Sequence, residues 1–230
     1  MPYNVIAANA GDYSGALLPT LGSITDLTTI AGFIGAWMAP TGSGNVTSWP
    51  ATTGTGGLSK ASGAENPTYA EVDDFRVVQF AGLDDMTFTP SALLDVATEM
   101  TFGIRAKFHT GPARGIIFGD NSNNLYIDIS NNNTLRFATG GGSAAFVSAP
   151  FAVDNRWHTI ICTHSNTESR IEIDGVVTTG AGAAMNAGAI LNMGAWAGGS
   201  VALMDIQKVI LASSDTFGLS AYDMVKTFLG

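Results

Sequence analysis

Two carboxylates stand two residues apart, Glu172 and Asp174, in the run SRIEIDGVV. On a β-strand, residues i and i+2 share a face, so such a pair could act as nucleophile and acid/base in polysaccharide cleavage. The run continues with Gly175 and Val176 and brings no second glutamate, so the acids read better as a strand residue and a hairpin-turn residue. Three histidines, His109, His158 and His164, are accompanied by no G-x-S-x-G or other nucleophile motif. Cys162, in WHTIICTH, reads as a small apolar core residue. No catalytic residue is assigned. Residue types suited to sugar are better represented. Trp49, Tyr69, Tyr126 and Trp196 fall in or near expected loops, where an aromatic face could stack on a pyranose ring. Asn121, Asn123 and Asn124 could add amide hydrogen bonds. Each aromatic has the competing reading of a core residue.

A frame of short strands must position these groups. The chain has 230 residues, of which 28 are glycine and only 13% are charged, while 46% are hydrophobic. That composition suits many strands and turns in one all-β unit and excludes a solvated coil. In MTFGIRAKFH, Met100, Phe102, Ile104, Ala106 and Phe108 share one face, which marks a half-buried strand. NLYIDIS places Leu125, Ile127 and Ile129 inward and Tyr126 and Asp128 outward. Asn131–Asn133 and Asp174-Gly175 are turn signals. Residues 179–190 read as a Gly/Ala loop. LSAYDMVKTFL closes the chain as a helix, with Ser220 and Asp223 at capping-box spacing and Tyr222, Val225 and Leu229 on its packed face.

Charge excludes one class of partner. The formal net charge is −9 and the ten Lys and Arg residues are scattered, so the basic footprint of a nucleic-acid binder is missing. The apolar run Thr28–Met38 is about half the length of a membrane span. The first basic residue is Lys60, so a Sec-type signal peptide, which needs a positive n-region, is not expected. A single cysteine excludes an intramolecular disulfide. Residues 1–35 carry only Asp12 and Asp26 as charges and read as an N-terminal extension, either an edge strand or an arm that docks on a partner. Residues 36–230 form the main domain.

The segment NVTSWPATTGTGGLSKASGAENPTYAEVDDFRVVQFAGLDDMTF (45–88) resembles the entry segment of the concanavalin A-like lectin/glucanase superfamily, in its laminin-G-like branch. Later landmarks agree in order: Trp157-His158 and Asp174-Gly175 in DNRWHTIICTHSNTESRIEIDGVV, then ILNMGAWAGGSVALMDIQKVIL, then LSAYDMVKTF. Two departures stand out. The family's F-D-G is Phe80-Ala81-Gly82, and its later F-x-G is Val201-Ala202-Leu203. The resemblance implies a jelly-roll β-sandwich of two antiparallel sheets, with Trp157 in the core and His158 at a strand edge. It also implies that a Ca²⁺ ion, the one cofactor considered, could sit on Asp84, Asp85 and Asp120, with Asn121 and Asn123 nearby; a turn-forming role for these residues is the alternative.

The function expected is non-catalytic recognition. Compact chains of this type resemble phage virion accessory proteins, which implies a decoration, spike or fibre protein on a particle surface, with Trp49, Tyr126, Trp196, Asn121 and Asn123 as host-glycan contacts. The alternative is a stand-alone Ca²⁺-dependent lectin module, and a glycoside hydrolase comes third. Partners are glycans, other virion proteins met through the N-terminal arm, or further copies of the chain. The expected location is the virion, or an extracellular site reached by another route.

Overall fold

The computed structural model describes residues 27–60, 66–81, 84–89, 94, 98–120, 124–140, 145–185, 190–194 and 202–230. Most of the 1–35 extension, together with Asn121, Asn123 and Trp196, lies outside the described residues.

Two antiparallel sheets face each other. The nine-stranded sheet runs β15 (Val176–Ala181), β14 (Glu168–Ile173), β13 (Trp157–His164), β8 (Met100–Phe108), β17 (Met204–Ala212), β1 (Phe33–Met38) and β3 (Thr53–Gly54). Beside it, β6 (Phe75–Phe80) pairs with β17, and β5 (Thr68–Val72) pairs with β6. The eight-stranded sheet runs β12 (Ala145–Pro150), β11 (Thr134–Thr139), β10 (Tyr126–Ser130), β9 (Arg114–Asp120), β16 (Leu191–Gly194), β7 (Asp85–Thr89), β4 (Gly57–Lys60) and β2 (Ser48–Pro50).

Period-two alternation supplies the core. The five residues expected on the inner face of β8 are all buried in it, as are Ile127 and Ile129 of β10. Phe102 of the first sheet stacks on Phe118 of the second at 4.6 Å, and Phe118 meets the edge of Phe88 at 5.8 Å. Cys162 is buried and free, and burial pushes its thiol pKa far up, so it is a packing residue. The β14–β15 turn holds Asp174 and Gly175 at φ 49° and 88°, the left-handed pair that a two-residue hairpin loop needs. Asn131 and Asn132, at φ 52° and 57°, turn β10 into β11. The β5–β6 turn uses Asp73 and Asp74 at φ 51° and 66°, a hairpin whose sequence lacks the usual glycine.

A short C-terminal helix, α1 (Ser220–Leu229), packs Tyr222, Val225, Phe228 and Leu229 against the outer face of the nine-stranded sheet. Leu27 and Ile30, near the end of the N-terminal extension, are buried in the same cluster. Gly103 permits the close approach: a Cβ there would stand 2.7 Å from Leu229 Cδ1 and 2.8 Å from Ile210 Cγ2. Lys208 Nζ donates to Phe228 O at 2.7 Å, placing a cation at the negative end of the helix. Burial lowers its pKa to about 8.

Three expectations are corrected. The helix N-cap is Leu219 rather than Ser220, with no side-chain cap hydrogen bond. Trp157 lies on the outer face opposite Lys107, edge-on to Phe75, while His158 turns inward beside Phe151. The strand face decides this, because Trp157 has the parity of Lys107 and His158 that of buried Ala106. The expected loop at 179–190 begins later, since Thr179–Ala181 are paired with β14.

Candidate ligand-binding face

The helix covers one sheet; the outer face of the other carries the chemistry. Residues that pair across neighbouring strands share a face, so the register aligns Ala138, Tyr126, Gly119, Asn192, Thr87, Ser59 and Ser48 in one row over seven strands. Their alternates, among them Phe137, Ile127, Phe118, Met193, Met86 and Leu58, form the core. The row therefore points away from the core, with Ala138, Tyr126, Gly119 and Asn192 buried and Thr87, Ser59 and Ser48 reaching solvent. Thr87 Oγ1 donates to Asn192 Oδ1 at 3.0 Å, which orients that amide.

Beside Tyr126 lies a charged cluster. Asp128 is fully buried, although it faces outward, because two guanidiniums shelter it. Arg136 Nε and Nη2 donate to its two oxygens at 2.8 and 2.7 Å, and Arg114 Nε donates to Oδ2 at 2.5 Å. Hydrogen bonding to Asp128 raises the Arg136 pKa further. The Arg114 guanidinium sits 4.7 Å from the Tyr126 ring centre, a cation–π contact. The cluster reaches solvent through Arg114 and Arg136, whose side chains are 38% and 28% exposed. Two arginines thus converge on one aspartate.

The sites read from sequence fare unevenly. Tyr126 is on this face. Trp49 is fully buried in the core with its indole N–H donated to Met38 O at 2.9 Å, so no ring face is left for a sugar. Tyr69 packs partly buried against the core. The three aspartates do not form one metal site. Asp85 lies opposite Gly194, whereas Asp120 lies opposite Leu191, two strands across and three residues along. That separates the two by roughly 14 Å. Asp84 Oδ2 accepts from Ala81 N and Asp120 Oδ1 accepts from Asn124 N, so both act in loop geometry. No group of three His, Cys, Asp or Glu suited to a metal occurs among the described residues. The histidines sit elsewhere: His158 between Asp154 and Asp174, His109 on Asp205, and His164 buried beside Ser169. Glu172 accepts from Tyr222 Oη at 2.6 Å under the helix.

A family model described as the concanavalin A-like lectin/glucanases superfamily matches residues 80–202, more than half of the chain. The chain belongs to that superfamily. The matched span of this concanavalin A-like domain contains Arg114, Tyr126, Asp128, Arg136 and Asn192 but not Ser48 or Ser59. Solved structures share its fold at low identity. A structure of botulinum neurotoxin type C is 14% identical with TM-score 0.61, covering 90% of this chain and 52% of that one. The botulinum neurotoxin type G receptor binding domain is 11% identical with TM-score 0.59, covering 86% and 51%. Trypanosoma rangeli sialidase in complex with the inhibitor DANA is 12% identical with TM-score 0.60, covering 86% and 33%. This domain thus spans about half of the toxin chains and a third of the sialidase. No curated protein sequence matches it.

Asp85, at one end of the concanavalin A-like face, carries a testable pH effect. Its Oδ1 finds no hydrogen-bond partner, and burial raises its pKa to about 7, with the Met86 backbone N–H opposing in part. The folded chain therefore holds a proton that the unfolded chain releases near pH 4. Stability contributed by this group is full below about pH 4 and falls as pH rises towards 7, by a few kcal/mol at most. Asp85→Asn is expected to raise the melting temperature at pH 8 and to flatten its pH dependence between 4 and 7. An unchanged pH profile would show that Asp85 ionises normally.

Proposed function

We propose that this domain is a non-catalytic recognition module that binds saccharides on the outer face of its eight-stranded sheet. The Arg114–Asp128–Arg136 cluster beside Tyr126 is the observation that carries this reading. Guanidinium and carboxylate groups held rigid by one another present directed hydrogen bonds to hydroxyls and acidic substituents. Tyr126, Ala138 and Asn192 are themselves buried, so the groups that a saccharide would meet first are the part-exposed guanidiniums of Arg114 and Arg136. The part-exposed guanidiniums favour a saccharide bearing a carboxylate or sulfate. Proteins of the same fold support a glycan role: cell entry of botulinum neurotoxin type C depends on interaction with two ganglioside molecules.

A glycan array, run with calcium and with chelator, tests this. Saturable binding to acidic glycans is expected in both conditions. Binding that vanishes in chelator would replace this reading with a calcium-dependent lectin; a blank array would remove the saccharide reading.

A finer reading places the domain on the surface of a phage particle, adsorbing to host glycan. The near-absence of charge in residues 1–35 supports docking by that segment, because a segment so poor in charge gains by being covered. Removing residues 1–26 should then abolish incorporation into the particle while leaving the melting temperature nearly unchanged. A large loss of melting temperature would end the docking reading.

A further inference from the structure

We propose that the domain self-associates through β15, which pairs antiparallel with β15 of a second copy about a two-fold axis at Thr179. The strand reads VVTTGA and is the outermost strand of the nine-stranded sheet. Its backbone has an open side. Gly182 N donates to Thr167 O directly opposite, so the hydrogen-bonded pairs of the β14–β15 ladder fall at Gly180, Thr178 and Val176. On the other side of β14, the Asp174 N donation to Thr159 O fixes the complementary alternation. Val177, Thr179 and Ala181 therefore direct their N–H and C=O groups away from the sheet, and all three residues are exposed.

Proteins blunt such edges with charge, proline or brevity. The other described edges follow that practice. β3 is two residues long, β2 has three and includes Pro50, β12 ends at Pro150, and β5 carries Glu71 and is met by Asn45 at Thr68. β15 has six residues with neither charge nor proline, and Val176 and Val177 are 70% and 39% exposed.

A second copy is the occupant that the strand itself specifies. Outward groups lie at odd positions only, and the self-pairing that engages all three sets Thr179 against Thr179 and Val177 against Ala181. That register meets every open donor with an acceptor and places no like charges opposite one another. Over most of its surface a chain of net charge −9 repels its copies; this strand is neutral. Val177 and exposed Leu219 also line a groove of about 620 Å³ beside the start of α1, apolar surface that the pairing would partly cover. A two-fold contact closes after two chains, giving a dimer rather than a filament.

Sedimentation of the full chain over a concentration series, with three variants, tests this. A monomer–dimer equilibrium is expected. Thr179→Lys sets two ammonium groups across the axis and should weaken dimerisation at least ~10-fold, with the melting temperature of the dilute monomer unchanged. Thr179→Cys should cross-link under mild oxidation, since Cα atoms of a hydrogen-bonded pair lie about 5.5 Å apart, within disulfide reach. Thr178→Cys, which faces Gly180 in this register, should not, and buried Cys162 does not compete. A monomer at every concentration, a dimer indifferent to Thr179→Lys, or equal cross-linking of the two cysteine variants would each overturn the proposal. So would a dimer lost only on removal of residues 1–26, which would name the extension as the occupant.

Discussion

Asp128→Ala is expected to lower the melting temperature by about 6–12 °C and to abolish saccharide binding. Removing one partner of a sheltered ion cluster costs about 3 kcal/mol, the low end of the usual range because Arg114 and Arg136 are partly solvated. In a domain of this size each kcal/mol moves the midpoint by about 2–4 °C. The loss arises from what remains: two guanidiniums held beside one another without the Asp128 carboxylate, one of them also pinned over Tyr126. A second variant separates stability from recognition. Asp128→Ala with Arg136→Met removes one of the two stranded charges and leaves Arg114, whose side chain is 38% exposed, so it should recover part of the stability. Binding should stay lost. Recovery of binding with stability would show that the cluster only holds the sheet together.

Phe118→Ala should cost about 4 kcal/mol, or about 8–16 °C. Phe118 belongs to the sheet that bears the candidate face, and its ring stacks on Phe102 of the opposite sheet at 4.6 Å. Truncation leaves a cavity between two sheets whose strands are pinned by their own ladders, so the walls close in poorly. Phe118→Leu keeps most of the volume and should cost about 1 kcal/mol. Chemical denaturation of both variants checks the pair. Equal losses would mean that the ring stack matters more than the space it fills.

Local signals carried far in this chain. Strand faces followed from alternation: Ile127 and Ile129 lie in, and Tyr126 and Asp128 lie out. Asp174-Gly175 turned where its residue types demand, because both positions need left-handed backbone. The packed side of the C-terminal helix was legible from its spacing, and Phe228 completes it. The Asp73-Asp74 hairpin was missed because aspartate reaches that backbone region only when the flanking strands hold it there.

The candidate face was half legible. Asp128 could be placed outward from its own strand, but Arg114 and Arg136 become its partners through pairings of three strands. Lone arginines in the apolar runs RGIIFGD and TLRFAT were the available signal, and alternation alone could not tell which carboxylate they meet. Trp49 and Tyr126 offered similar sugar-binding chemistry in the sequence, yet one fills the core and the other lies on the face. Asp84, Asp85 and Asp120 shared a chemistry and not a place. Sequence by itself determined the alternating strands, their turns and the C-terminal amphipathic helix, since periodicity and turn chemistry act within a few residues; the two-sheet sandwich was what the family resemblance implied. The tertiary structure decided which sheet the helix covers, which face gathers Arg114, Asp128 and Arg136, and which edge strand is left unpaired. Those choices depend on register and packing between residues many tens of positions apart, where free energy is shared by whole strands and no short motif records it.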